Sequence, residues 1–196
     1  MSRLATSFVL GYHGCERAVA EKAVRGDIEL LQSKKDFDWL GNGSYFWESD
    51  PQRAKEWADW KVEAGKFKHA TVIGAVIDLG NCLDLTNRDD IELLKIAHRS
   101  FIRHQKKAGL PVPKNRSAKG EPNADRVLRF LDCAVIRHLH MAIDEMDGIP
   151  SFETVRGMFS EGKRLYSGCG FREKSHVQIA VRDNKCIKGI FFARNF

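Results

Sequence analysis

Histidine and cysteine are the side chains here best suited to chemistry near neutral pH, and their spacing excludes most of what they might do. Cys15 follows His13-Gly14, which invites a thiolate–imidazole pair, but no Asn or Asp partner and no oxyanion motif accompanies it. His138 and His140 stand two apart on a predicted helix, hence on different faces, and do not make a metal site. Cys133, Cys169 and Cys186 lack zinc-ligand spacing, so no bound metal is expected. Three polar pieces remain. Tyr12-His13-Gly14 closes a short apolar run. Leu40-Gly41-Asn42-Gly43-Ser44-Tyr45-Phe46 leads into a helix carrying Ala54 and Trp57. His176-Val177-Gln178-Ile179-Ala180-Val181 opens an apolar strand near the C-terminus. Each has an ordinary structural explanation. His13 reads as a turn histidine, Gly-Asn-Gly as a hairpin with packed aromatics, and Gln178 as the outward face of a half-buried strand.

Together, in this order, the three pieces resemble the motif set of the ADP-ribosyltransferase superfamily, in its His-Tyr-Glu branch, which is diphtheria toxin-like and poly(ADP-ribose) polymerase-like. In that branch a His-Gly ends an early strand, a Gly-x-Gly-x-Tyr-Phe segment leads into a helix, and an acidic residue opens an apolar strand near the C-terminus. Gly41, Gly43, Tyr45 and Phe46 match the middle motif position by position. The resemblance covers residues 1–85 and 150–196. It implies an α+β fold with a split β-sheet core and flanking helices, as one domain over 1–196 with a helical insertion at about 89–146. One departure stands out. Gln178 occupies the place of the family's glutamate if the strand is aligned correctly; Glu173, in the preceding loop, is the nearest carboxylate.

The implied activity is mono-ADP-ribosyl transfer with NAD as co-substrate. Nicotinamide leaves as a neutral molecule from a cationic precursor, through an oxocarbenium-like transition state. The site must mainly position the cofactor and tolerate positive charge at the ribose, which needs few titrating groups. By resemblance, His13 bonds a hydroxyl of the adenosine ribose, and Gly14 offers backbone groups to the nicotinamide amide, where a Cβ would obstruct. Tyr45 stacks on the nicotinamide ring, beside Gly43 of the same motif, and Ser44 donates to the carboxamide. Gln178 accepts from the 2′-hydroxyl of the nicotinamide ribose. An amide there contributes only a dipole, which argues against chain elongation.

The acceptor is expected to meet the loop before the last motif. That loop carries Lys163, Arg164, Tyr166, Phe171, Arg172 and Lys174, and the insertion adds Arg103, Lys106, Lys107, Lys114, Arg116 and Lys119. Cations interleaved with aromatics suit phosphates and stacked bases, so nucleic acid, RNA before duplex DNA, ranks ahead of a protein acceptor. A solvated basic surface is the competing explanation. His176, two residues before Gln178, points the same way on a strand and is either a base for the acceptor or a surface histidine. The resemblance further implies a toxin or defence effector, with an inhibitor protein (antitoxin) as a possible partner. The alternatives are a non-catalytic module that binds NAD, ADP-ribose or nucleic acid, which Gln178 favours, and an NAD glycohydrolase with water as acceptor.

The elements that must hold these residues are legible as patterns. Strands are expected at 8–12, 70–79, 82–85, 155–159, 177–181 and 187–192, with 70–79 and 82–85 meeting at Gly80-Asn81. Asn42-Gly43 signals a tight hairpin within 37–48. Helices are expected over 16–25 with Gly26 as its stop, from Ser49-Asp50-Pro51 to near Gly65, over 89–107 and over 125–146. Residues 109–123 and 160–174 read as loops.

A net charge of +6 is compatible with an acidic partner but is equally explained by solubility. Five cysteines at irregular spacing, without a C-x-x-C pair, suit a reducing compartment. Phe8-Val9-Leu10 is too short an apolar run for a signal peptide, and no stretch is long enough to span a bilayer. The expectation is a cytoplasmic protein that does not engage membranes.

Overall fold

A computed structural model describes residues 8–117 and 126–194. Within them the chain is a mixed α+β structure: one seven-stranded sheet and four α-helices. The strands are β1 (Phe8–Glu16), β2 (Ser44–Glu48), β3 (Ala70–Asp78), β4 (Cys82–Asp84), β5 (Thr154–Phe159), β6 (His176–Val181) and β7 (Ile187–Phe192). The helices are α1 (Arg17–Arg25), α2 (Pro51–Glu63), α3 (Arg88–Ala108) and α4 (Phe130–Asp144). The sheet order is β4-β5-β6-β2-β1-β3-β7, antiparallel throughout except for the parallel β4–β5 pair.

Helix ends follow local chemistry. Asp50 accepts from the Arg53 amide with Pro51 in the first turn of α2, and Asn87 accepts from the Asp89 amide at the start of α3. Gly26 and Gly109 end α1 and α3 in the left-handed conformation.

The sheet cannot be flat. In a flat sheet β3 and β4 would stand five strand spacings apart, about 24 Å. Four residue steps from Asp78 to Cys82 reach at most about 14 Å. The fold line is the seam between β1 and β2, where only Gly11↔Glu48 and Tyr12↔Trp47 are in register. Beyond Tyr12, β1 continues with β3 as far as Glu16↔Ala70, while β2 runs with β6. The two halves close on a shared core. Cys15, Ile73, Ala75 and Ile77 from one half meet Phe46, Ile179 and Val181 from the other, under Ala20 and Ala23 of α1. On the opposite face α2 covers β1 and β3, while α3 and α4 cover Leu83, Val155 and Ala180 of the other half.

Four expectations are corrected. His13-Gly14 does not end β1; it ends only the pairing of β1 with β2. Asn42-Gly43 is not a two-residue hairpin. The ladder closes instead as Ser33↔Gly43, because Leu40 must reach the core, where it is fully buried. β3 and β4 meet at Gly80-Asn81 in sequence but do not pair, and β4 finds its partner in β5 across the whole α3–α4 segment. Finally, α4 starts at Phe130, not near 125. Arg116 and Leu128 exchange backbone hydrogen bonds of 2.8 and 3.0 Å that hold Leu128 extended, and Asn115 Oδ1 accepts from the Leu131 amide in place of a local cap. Lys119 and the expected helix start at Asp125 lie outside the described residues.

Candidate functional site

The three motif-bearing strands are neighbours, in the order β6-β2-β1. His13 sits where β1 and β2 part. Its Nδ1 lies 2.8 Å from the Tyr45 carbonyl oxygen, and its ring lies between Phe46 (5.7 Å between centroids) and Trp57 of α2 (6.5 Å). A carbonyl only accepts, so Nδ1 carries the proton and Nε2 is the nitrogen left for another partner. Burial holds the imidazole pKa below its usual value, although the bond to Tyr45 opposes this, so the ring is neutral at pH 7.

Tyr45 and Ser44 diverge because successive residues of β2 face opposite ways. Ser44 is buried and donates to the Leu30 carbonyl, so the strand does not bring it to the face that carries Tyr45. The Tyr45 hydroxyl donates to the Gly41 carbonyl (2.7 Å) and accepts from the Leu40 amide (3.1 Å). Burial, helped by nearby Asp38, pushes its pKa well above the normal phenol range. Tyr45 is therefore a fixed ring whose hydroxyl keeps its proton. Gly43 is required by proximity: a Cβ there would come within 2.9 Å of the Val181 carbonyl oxygen. Gly14 is tighter still, since its Cβ would meet the Ala54 carbonyl oxygen at 2.3 Å. Its missing side chain serves the docking of α2 onto β1.

Gln178 lies opposite Trp47 on β2 and Gly157 on β5, and diagonally from Tyr45, whose partner is Ala180. Diagonal neighbours of this kind lie about 7–8 Å apart. Its Oε1 accepts from the indole Nε1 of Trp39 at 2.6 Å. The Trp39 ring packs over Gly157, where a Cβ would come within 2.8 Å of it, and against Phe159 at 5.1 Å. Glu173 is exposed in the loop, its amide bonded to the Lys163 carbonyl, and it does not lie on β6.

His176 faces the same way as Gln178 but is no surface residue. It is 6% exposed, stacked on Phe159 (5.6 Å, 23°) and 6.3 Å from Trp47. Its Nδ1 lies 2.6 Å from the Lys174 carbonyl, which leaves Nε2 as an acceptor. Burial lowers its pKa. Trp47 Nε1 and His176 Nε2 are both buried without a hydrogen-bond partner among the described residues. Arg53, at the start of α2, lies over Trp47 and makes a bidentate pair with Glu161 at 2.8 and 2.9 Å.

The loop over 160–174 is organised around Cys169, whose Sγ lies 3.4 Å from the Tyr166 amide and 3.3 Å from the Phe171 carbonyl. Tyr166 and Phe171 project outward, 63% and 69% exposed. Arg172 donates to the Gly162 carbonyl and Arg164 to that of Cys169, so both guanidinium groups brace the loop. Two shallow hollows of about 520 and 540 Å³ lie near Arg17, Lys68 and His69, and neither includes His13, Tyr45 or Gln178.

Sequence reasoning missed Trp39 and the Arg53–Glu161 pair. Trp39 belonged to an aromatic-rich stretch, but nothing in one sequence joins it to a residue 139 positions away. Among the described residues no group of three or more His, Cys, Asp or Glu side chains could hold a metal, and no helix is long and apolar enough to cross a membrane. No protein-family model, curated protein or solved structure matches this chain.

Proposed function

We propose that this chain is an NAD-dependent mono-ADP-ribosyltransferase, with the split-sheet fold of that superfamily and a nucleic-acid acceptor ranked ahead of a protein. The observation that supports the reading is the adjacency of β6, β2 and β1, which makes neighbours of the three strands that carry Gln178, Tyr45 and His13. His13 Nε2 is available to a ribose hydroxyl, Tyr45 offers a rigid ring for stacking, and Gln178 orients the nicotinamide ribose. Nothing at the seam needs to protonate the leaving group, because nicotinamide departs neutral from a cationic precursor. Outward Tyr166 and Phe171, with exposed Lys163 and Lys174, suit single-stranded bases and phosphates.

The test is nicotinamide release from NAD, followed with and without RNA or protein from cell extract, and mass spectrometry of both polymers. Gln178→Ala is expected to lower release by about ten-fold to a thousand-fold, the scale of one oriented polar contact in a transition state. Unchanged release would remove Gln178 from the site, and label that resists nuclease but is lost to protease would assign a protein acceptor. A second reading, a module that binds NAD or ADP-ribose without cleaving it, is favoured by one observation: Gln178 carries no charge, and Trp39 already donates to its oxygen. NAD bound yet intact after prolonged incubation would select that reading.

A further inference from the structure

Resting on the ADP-ribosyltransferase reading, we infer that Trp39 is a positioning residue for Gln178, and that it makes the amide N–H2 of Gln178, not its oxygen, the group offered to the ribose. An indole N–H only donates, so the Gln178 atom 2.6 Å away is the oxygen. Rotating the amide by half a turn would set N–H2 against N–H, two donors face to face. The other end, Nε2, makes no bond to the described residues and is the free end of the side chain.

The indole is half-buried and held at its nitrogen and its ring. It covers Gly157, where the absence of a Cβ makes room for it, and it packs at a tilt against Phe159, 5.1 Å between centroids. Its chain neighbours are pinned as well. The Asp38 carboxylate accepts from Ser33 Oγ, the Asp38 carbonyl accepts from the Gly41 amide at 2.8 Å, and Leu40 is fully buried. The Tyr45 hydroxyl grips the Leu40 amide and the Gly41 carbonyl, the residues just after Trp39. A short segment, 38–41, thus ties the two motif residues together: Tyr45 fixes the segment, and the segment, through Trp39, fixes Gln178.

The chemical consequence reverses the expected polarity of this contact. Gln178 was expected to accept from the 2′-hydroxyl. With its oxygen engaged, it donates to a ribose oxygen and turns the positive end of its dipole toward the sugar. It holds the ribose in place and does not stabilise the developing cation.

Two measurements test this. In a spectrum of ¹⁵N-labelled indoles, the chain's four tryptophans give four N–H signals, and the Trp39 signal is the one lost in Trp39→Phe. In Gln178→Ala that signal is expected to move upfield while those of Trp57 and Trp60, on α2, hold. In nicotinamide release, Trp39→Phe and Gln178→Ala are each expected to lower kcat/KM about ten-fold or more, and the double variant to fall no further than the lower single, because the two act as one unit. Losses that multiply in the double variant, or a Trp39 signal indifferent to Gln178→Ala, would overturn the inference. Wild-type protein that neither binds nor cleaves NAD sinks the enzymatic reading instead, and the indole shift then decides the Trp39–Gln178 coupling by itself.

Discussion

At the scale of single residues, the candidate site is made of neutral groups with assigned polarity. His13 and His176 each place one ring nitrogen against a backbone carbonyl, so each presents Nε2 as an acceptor. Tyr45 is held at both its hydroxyl proton and its lone pair, and this separates its structural role from the stacking role proposed for its ring. Tyr45→Phe keeps the stacking ring but leaves the Leu40 amide and Gly41 carbonyl unpaired. It is expected to cost about 1–3 kcal/mol of stability in urea unfolding, with NAD affinity changed little. Tyr45→Ala removes the ring and is expected to weaken NAD binding by roughly 1–3 kcal/mol in calorimetry, as for aromatic stacking on bases. Equal losses of affinity in the two variants would place the effect in the hydroxyl and not in the ring.

At the scale of elements, the seam depends on α2 lying close to β1. The contact is backbone to backbone, since a Cβ on Gly14 would overlap the Ala54 carbonyl oxygen at 2.3 Å. Neither side is a flexible side chain that could swing away. Gly14→Ala is therefore expected to shift α2 and to destabilise the fold by about 1–3 kcal/mol, with Trp47 and Trp57 fluorescence altered because α2 carries Trp57 against Trp47. A variant as stable as the wild type, with an unchanged spectrum, would show that the helix docks elsewhere. The motif elements were legible: α2 with its Asp50-Pro51 start, β6 and β7 all lie within a residue or two of their expected places. The start of α4 was not, because its cap comes from Asn115, sixteen positions from Leu131.

Across the whole molecule two further outcomes are expected. His140 is buried behind Gly41 and beside Phe152, and its pKa falls to about 3 through burial, with Arg182 adding to the fall and Asp144 opposing it. The folded pKa lies below the unfolded value of 6.5, so the unfolded chain binds the extra proton first. Stability is unaffected by this group above pH 6.5 and falls as the pH drops from 6.5 toward 3, by about 2 kcal/mol at pH 5. Thermal melts of wild type and His140→Gln between pH 7 and 4.5 check this: the variant should show the smaller drop, and parallel curves would refute it. The second outcome concerns the acceptor. Binding of single-stranded RNA should weaken with rising salt, with a log–log slope near −0.7 per phosphate contacted. Phe171→Ala should lower affinity by about 1–3 kcal/mol without changing that slope. A slope near zero would indicate that the basic surface over 160–174 and α3 is merely solvated.

The amino-acid sequence alone determined what depends on neighbours along the chain. Periodicity, caps and turn residues placed α1, α2, α3, β3, β6 and β7, and the order of His13, Tyr45 and Gln178 suggested one site before any contact was known. Tertiary structure decided what depends on residues far apart. It set the pairing of β4 with β5 and the fold line along the β1–β2 seam. It also brought Trp39 to Gln178. The physical reason is common to all three. Hydrogen bonds between distant segments are chosen by which apolar faces can be buried together, and no local spacing encodes that choice.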